Sequence, residues 1–245
     1  MRAILTFHCI DPSRSVLSFD AGLFDSLLAC LSVKAIPIYD LDTLLANGEE
    51  RGIAITFDDG MRSVYQKALP ILKAYRAPAH LFLTTGTISR NGKQTRQPGH
   101  FSSFEMLDWE EVEALHQAGV RIESHSHTHP DMRILSREQI MEECDIADEM
   151  IVSRLGRRPR FFAYPFGYHN ETARDCVRER YSGSFTTELR FLGDKEDKSA
   201  LPRLDAYYLR SASRIRFIDS SLMKMFLSVR SGLRTFRGTQ CLPAS

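Results

Sequence analysis

No stretch of this sequence is apolar for long enough to cross a bilayer, and no internal repeat or low-complexity linker interrupts it. Cysteine is scarce and unpatterned. Cys9, Cys30, Cys144, Cys176 and Cys241 are odd in number and lack the C-x-x-C spacing of thiolate metal sites. That argues against a disulfide framework and favours free thiols in a reducing compartment. Net charge is also nearly absent, +1 over 245 residues, so the chain as a whole makes no electrostatic case for nucleic acid. The first residues, MRAILTFHCIDP, hold an apolar run of only about six residues, short of a secretory signal core. A cytoplasmic location is therefore expected, with an exported form left open.

What remains is an ordinary soluble composition, 43% hydrophobic and 26% charged, in a length suited to one large α/β domain. The balanced charge conceals an asymmetry: from Leu209 onward seven Lys/Arg stand against one acidic residue, leaving 25 Lys/Arg against 30 Asp/Glu before it. Short β-type runs alternate with helical patterns. Strands are expected at Ala3–Phe7, Gly52–Phe57, Ala79–Thr84, Val120–Ser124, Arg160–Tyr164 and Gly183–Thr187. Helices are expected at Leu23–Val33, from about Arg62 to Tyr75 with a break near Pro70, and at Asp108–Gln117, Ser136–Leu155 and Glu171–Tyr181. Ser136 and Gln139 form a capping-box pattern, and 86–104 reads as a polar loop long enough to be functional. Repeated strand–helix alternation implies a parallel sheet, because parallel neighbours need a long crossover. The polar clusters all follow strands, and in a β/α barrel those C-terminal ends converge on one catalytic face. An open doubly wound sheet would also gather ligands there.

The first chemical motif is Thr56-Phe57-Asp58-Asp59-Gly60. Side chains alternate along an extended chain, so adjacent carboxylates face opposite ways unless the backbone turns. A tight turn at Gly60 would bring both to one site in different roles; the bland alternative is an ordinary Asp-Asp-Gly turn. The second motif, Ser124-His125-Ser126-His127-Thr128-His129-Pro130-Asp131, concentrates three of the eight histidines. His125 and His129 share one face if the loop takes a helical turn, the geometry in which two imidazoles chelate one metal. His127 then points elsewhere; a solvated turn, or helix capping by Thr128 and Asp131, is the competing reading. Two imidazoles with a carboxylate suit one divalent ion, Zn²⁺ first, with Co²⁺, Ni²⁺ or Fe²⁺ also compatible. The third motif, Phe162-Ala163-Tyr164-Pro165-Phe166-Gly167, ends an apolar strand in a rigid turn with a close backbone approach at Gly167.

In this order and approximate separation, the segments 56–60, 125–131 and 164–167 resemble the polysaccharide deacetylase family with the NodB-homology fold, over roughly residues 3–206. The resemblance implies an α/β fold, a distorted (β/α) barrel in a single domain, here drawn as residues 1–212 with a basic amphipathic extension at 213–245. It further implies metal-dependent hydrolysis of an acetamide or acetyl ester, commonly on N-acetylglucosamine-containing glycans. By motif position, Asp59, His125 and His129 would bind metal, and Asp58 would be the general base. Two departures stand out. Ala163 occupies the place where many members carry an Arg that orients the base, and Arg203 in Leu201-Pro202-Arg203-Leu204 is the candidate substitute. The family's late His is also missing, since no His follows His169; His8, at the end of the first strand, is the candidate proton donor, with a buried structural His as its rival.

The expected chemistry is attack by water on the acetyl carbonyl, with Asp58 taking its proton and His8 protonating the departing amine. The backbone N–H of Phe166 is the expected oxyanion donor. Tyr164, Pro165, Phe166, Gly167 and Trp109 are the candidate substrate-contacting residues, although Trp109 equally suits a core. In the extension, Leu222, Met225, Phe226, Val229, Leu233 and Phe236 recur at helical spacing, with Lys224, Arg230, Arg234 and Arg237 outside the stripe. Such a helix either packs on the barrel or makes peripheral contact with an anionic membrane, which would suit a lipid-linked glycan at the inner membrane face. Two other functions compete: hydrolysis of a non-carbohydrate C–N or acetyl bond, and non-catalytic glycan binding. Oligomeric state is not legible.

Overall fold

The structure is a computed structural model and describes residues 1–46, 51–88 and 103–238. Residues 89–102 of the polar loop, and Cys241, lie outside the described residues. Nine strands are defined among those described: β1 (Arg2–Phe7), β2 (Cys9–Ile10), β3 (Ser18–Phe19), β4 (Gly52–Asp59), β5 (His80–Leu83), β6 (Arg121–Ser124), β7 (Phe161–Ala163), β8 (Gly183–Phe185) and β9 (Leu204–Asp205). Seven of them form one parallel sheet in the order β8-β7-β6-β5-β4-β1-β9, while β2 and β3 pair separately. A single parallel bridge, Phe185 to Leu201, links β8 to the chain just before β9, which itself pairs with β1. The sheet thus curls into the expected distorted barrel, joined on one side by a bridge where a full ladder would otherwise stand.

The helices are α1 (Ala21–Val33), α2 (Leu41–Ala46), α3 (Leu69–Tyr75), α4 (Trp109–Gln117), α5 (Arg137–Leu155), α6 (Glu171–Arg178), α7 (Ala212–Arg216) and α8 (Ser221–Gly238). The capping box of α5 forms in full: Gln139 N–H donates to Ser136 Oγ and Ser136 N–H to Gln139 Oε1. Between Arg62 and Tyr75 the chain is not one α-helix. A π-helical stretch, Val64–Ala68, runs directly into α3, and Pro70, the second residue of α3, falls where the two helix types meet.

Strand parity decides what faces the barrel interior. Ala3, Leu5, Phe7, Ile53, Ile55, Phe57, Leu81 and Leu83 point outward into the main helix–sheet core. Ile4, Ala54, Phe82, Phe161, Ala163 and Phe185 form the inner cluster. Asp58 is therefore inside because it is in phase with Ala54. Phe162 and Tyr164 have the opposite parity and pack outward among Ile140, Cys144 and Cys176 of the helices. In the extension, Ile215, Ile218, Met223 and Leu227 join the main core, so it is packed on the barrel. No helix among the described residues is long and apolar enough to cross a membrane.

Candidate metal and catalytic centre

Register brings the pieces level. Phe7 pairs with Phe57, so His8 emerges beside Asp58; Asp59 pairs with Leu83, Leu83 with Ser124, and Ser124 with Phe162. The C-terminal ends of β1, β4, β5, β6 and β7 thereby converge. Asp59 breaks the strand alternation: its φ is +73°, and Gly60 follows at +96°. Left-handed backbone is tolerated by Asp better than by most residues. The reversal that sequence reasoning assigned to Gly60 thus begins one residue earlier, and it lets both carboxylates address one site. A Cβ at Gly60 would meet Leu83 Cδ1 at 2.7 Å.

The histidine loop differs from the expected helical turn. It takes no helical structure, and Ser126 and His129 adopt left-handed φ of +65° and +58°. Those two reversals carry His129 back toward His125, with ring centroids 4.9 Å apart. The loop is held from outside. Glu143 of α5 accepts from the backbone N–H groups of His127 and Thr128 at 2.9 and 2.7 Å and from Thr128 Oγ1 at 2.6 Å. Gly86 N–H donates to His127 O at 2.8 Å, and His127 Nδ1 meets Thr85 Oγ1 at 2.9 Å, turned away from Asp59. Sequence reasoning missed Glu143, which no local motif links to a loop 15 residues earlier.

Asp59 Oδ1 lies 3.4 Å from His125 Nε2 and 3.5 Å from His129 Nε2, and the three donor atoms fall within 4.8 Å of one another. Donors each about 2.0–2.1 Å from a tetrahedral ion stand about 3.4 Å apart. These buried donors therefore fit a divalent cation. His125 Nδ1 donates to Ala163 O at 2.7 Å; a carbonyl only accepts, so this bond turns Nε2 toward Asp59 as the ligand atom. Burial alone would lower the proton affinity of His125, but Asp59 and Asp58 raise it. For Asp59 burial works in the opposite sense and would raise its proton affinity, yet His125, His8 and His129 hold its carboxyl below the usual range.

Arg203 is 1% exposed and reaches Asp58 in a two-pronged pair, Nη1 to Oδ1 and Nη2 to Oδ2, both at 2.7 Å. Its Nε donates to Thr186 O at 3.2 Å, and its guanidinium lies beside the paired rings of Phe82 and Phe185, 5.5 and 5.9 Å from their centres. Burial of Asp58 opposes ionisation, but Arg203 and then His125 outweigh it, and the carboxyl is held below its ordinary value. The cation beside Asp58 thus comes from the segment that leads into β9, not from position 163.

The third motif divides. Tyr164 is fully buried; its hydroxyl donates to Ser199 O at 2.9 Å, and its ring packs on Phe162. Strand parity turns it into the helix layer, so its side chain faces away from the Asp–His centre. Pro165 is buried too, whereas Phe166 is 42% exposed, in left-handed backbone, with its ring 4.5 Å from that of His129. Gly167 has φ +73°, and a Cβ there would meet Thr187 Oγ1 at 2.3 Å. Trp109, the first residue of α4, packs on the main core with Arg154 over its ring, which is the core placement. Tyr168, not singled out from sequence, stands beside Phe166 at 5.6 Å with Arg133 stacked 3.8 Å over it.

The polysaccharide deacetylase family pattern matches residues 46–180, more than half the chain and all three motif segments. The chain belongs to the polysaccharide deacetylase family. It is 24% identical over 171 residues to the poly-beta-1,6-N-acetyl-D-glucosamine N-deacetylase of Staphylococcus aureus (strain MRSA252), covering 65% of this chain and 53% of that protein. It therefore spans about half the length of that relative. Among solved structures, Streptococcus pyogenes deacetylase PplD in complex with acetate superposes with a TM-score of 0.72 at 24% identity, over 83% of this chain and 91% of that one. IcaB from Ammonifex degensii gives 0.74 at 21% identity, over 88% and 97%. At these identities the superpositions establish the fold, and this polysaccharide deacetylase family member has the NodB-type barrel.

Proposed function

We propose that this protein is a metal-dependent hydrolase that removes acetyl groups from N-acetylated sugars, acting on glycans built from N-acetylglucosamine, free or lipid-linked. One observation carries the reading: a buried carboxylate clamped by Arg203 stands next to a separate Asp–His–His donor set of metal-binding dimensions. Asp59, His125 and His129 would hold the ion, with Zn²⁺ the best match to two imidazoles and a carboxylate and Co²⁺, Ni²⁺ or Fe²⁺ compatible. A divalent ion bound there supplies Lewis acidity, which acidifies water and polarises a carbonyl.

The chain's own groups divide the proton work. Asp58, kept ionised at neutral pH by Arg203 and His125, accepts the proton released as the water oxygen bonds to the acetyl carbonyl carbon. The backbone N–H of Phe166 is the proposed donor to the developing oxyanion; losing one such donor costs about 3–4 kcal/mol of transition-state stabilisation. His8, which follows the end of β1 beside Asp58, donates a proton to the amide nitrogen. The C–N bond then breaks with its electron pair on nitrogen, leaving acetate and a free amino sugar. Phe166 and Tyr168 together offer an exposed aromatic surface for a sugar ring, in place of Tyr164 and Trp109.

Two departures favour a non-catalytic glycan-binding relative, the missing motif Arg and the missing late His; the Arg203–Asp58 pair answers the first, and His8 is the proposed answer to the second. Free thiols at Cys9, Cys30, Cys144 and Cys176 favour a reducing, cytoplasmic setting as part of the same proposal. The test is acetate release from chitooligosaccharides and from lipid-linked N-acetylglucosamine, with metal added and with chelator. Asp58→Asn should keep its metal content and lose turnover by orders of magnitude. Acetate from neither substrate, despite stoichiometric metal, would turn the reading toward non-carbohydrate amides or binding alone.

A further inference from the structure

The C-terminal helix α8 carries two apolar faces where docking on the barrel needs only one. Met223 and Leu227 are buried against the main core. Leu222, Met225, Val229 and Leu233, spaced three, four and four apart, form a second line that is 53–67% exposed. Phe217, half exposed at the end of α7, extends this surface, and a groove of about 180 Å³ opens beside it between Phe217, Leu222, Met223 and Phe226. Cations flank this face, placed over aromatic rings at its edge, and Arg230 also stacks 5.7 Å over the buried Tyr208. Arg214 and Arg230 lie 5.0 and 5.8 Å from the centre of Phe226, and Arg216 lies 5.9 Å from that of Phe217. The one carboxylate of the extension, Asp219, is already engaged by Lys34 at 2.7 Å and Arg51 at 3.0 Å, which bring two further positive charges to the same corner.

We propose that the outer face of α8, with the α7–α8 corner, docks on an anionic lipid surface. An amphipathic helix lying in the plane of a bilayer sets its apolar line at the acyl boundary and its cations against the headgroups. The two parts of this surface are then used at once. A second copy of the chain fits it poorly: a two-fold contact places the same patch on both sides, and so sets Arg214, Arg216 and Arg230 against their equivalents, while Asp219 is already engaged by Lys34 and Arg51. The proposal goes beyond acetyl hydrolysis, because none of these residues belongs to the Asp–His centre. It also gives a lipid-linked substrate a surface on which enzyme and substrate meet.

Co-sedimentation of the full chain with vesicles tests it. Wild type should bind vesicles of phosphatidylcholine with phosphatidylglycerol, bind phosphatidylcholine alone far more weakly, and release as salt rises. The double variant Leu222→Glu/Val229→Glu alters exposed positions and should lower binding by about tenfold or more. Arg214→Gln and Arg230→Gln should each lower it roughly fivefold. All should unfold thermally as wild type does and release acetate from soluble chitooligosaccharides unchanged. Absence of binding to the anionic vesicles, equal binding to both vesicle types, or wild-type binding by the Leu222→Glu/Val229→Glu variant would overturn the proposal. So would a dimer in sedimentation equilibrium that this variant dissociates, since the face would then belong to a second copy.

Discussion

Replacing Arg203 with Met isolates the strongest electrostatic link in the site. The Met side chain keeps much of the aliphatic volume beside Phe82 and Phe185 but removes both hydrogen bonds to Asp58. Asp58 is only 3% exposed, so water cannot replace the lost donors. Removing one partner of a buried pair costs about 3–5 kcal/mol, because the remaining charge is left uncompensated. The sign of the pH dependence follows. In wild type the folded-state affinity of Asp58 for a proton is depressed, so its stabilising contribution is present above the unfolded carboxylate pKa and fades as pH falls through the lower folded value. In the variant, burial dominates and the proton affinity rises. The cost is then greatest where Asp58 is forced to ionise, and it shrinks on acidification as the carboxyl takes up a proton.

The size of that shrinkage is bounded: one extra proton held by the folded variant changes the stability difference by up to about 1.4 kcal/mol per pH unit. Urea unfolding followed by circular dichroism at pH 7 and at pH 5, both in chelator so that metal binding drops out, should show a deficit of about 3–5 kcal/mol at pH 7 and a smaller one at pH 5. Arg203→Met/Asp58→Asn should recover much of the loss, because the uncompensated charge is gone. In the metal-loaded single variant the acidic limb of kcat/KM should move to higher pH. A deficit below about 1 kcal/mol at pH 7, typical of an exposed pair, would refute the argument. An equal deficit at both pH values would refute it as well.

Glu143→Ala removes the acceptor that holds the His127–Thr128 backbone, and metal affinity should fall about 10- to 100-fold, as for other groups that orient ligands. Competition against a chromophoric chelator measures this, and Glu143→Gln, which keeps one carbonyl acceptor, should recover most of it; unchanged affinity in Glu143→Ala would show that the loop holds its shape alone. Gly167→Ala forces a Cβ against the Thr187 side chain and backbone in a left-handed conformation, at a cost of about 1–3 kcal/mol. Thermal unfolding checks the cost, and a stability equal to wild type would mean that the turn relaxes freely.

The barrel was legible because its strands are buried on both faces and so read as short apolar runs between helical patterns. Two-residue β9 was not: Leu204 and Asp205 carry no period, and they become a strand only because Leu5 and Thr6 offer edge partners. The Asp–His–His donor set was legible as residues but not as geometry. Their convergence depends on left-handed backbone at Asp59, Ser126 and His129, none of them glycine, and nothing local in the sequence marks those angles. Arg203 illustrates the limit from the other side. Its proline-flanked neighbourhood suits a surface turn as well as a barrel wall, and the pairing with Asp58 spans 145 residues. The need for a cation pointed to it, not its own surroundings. Tyr164 shows an error that the sequence itself could have prevented. Ala163 lies on the inner face, so parity sends its neighbours Phe162 and Tyr164 outward, and Phe166 escapes that rule only because the backbone reverses at its left-handed φ. Counting parity from the strand, and stopping where the turn begins, separates the aromatic residue that supports the barrel from the one beside His129.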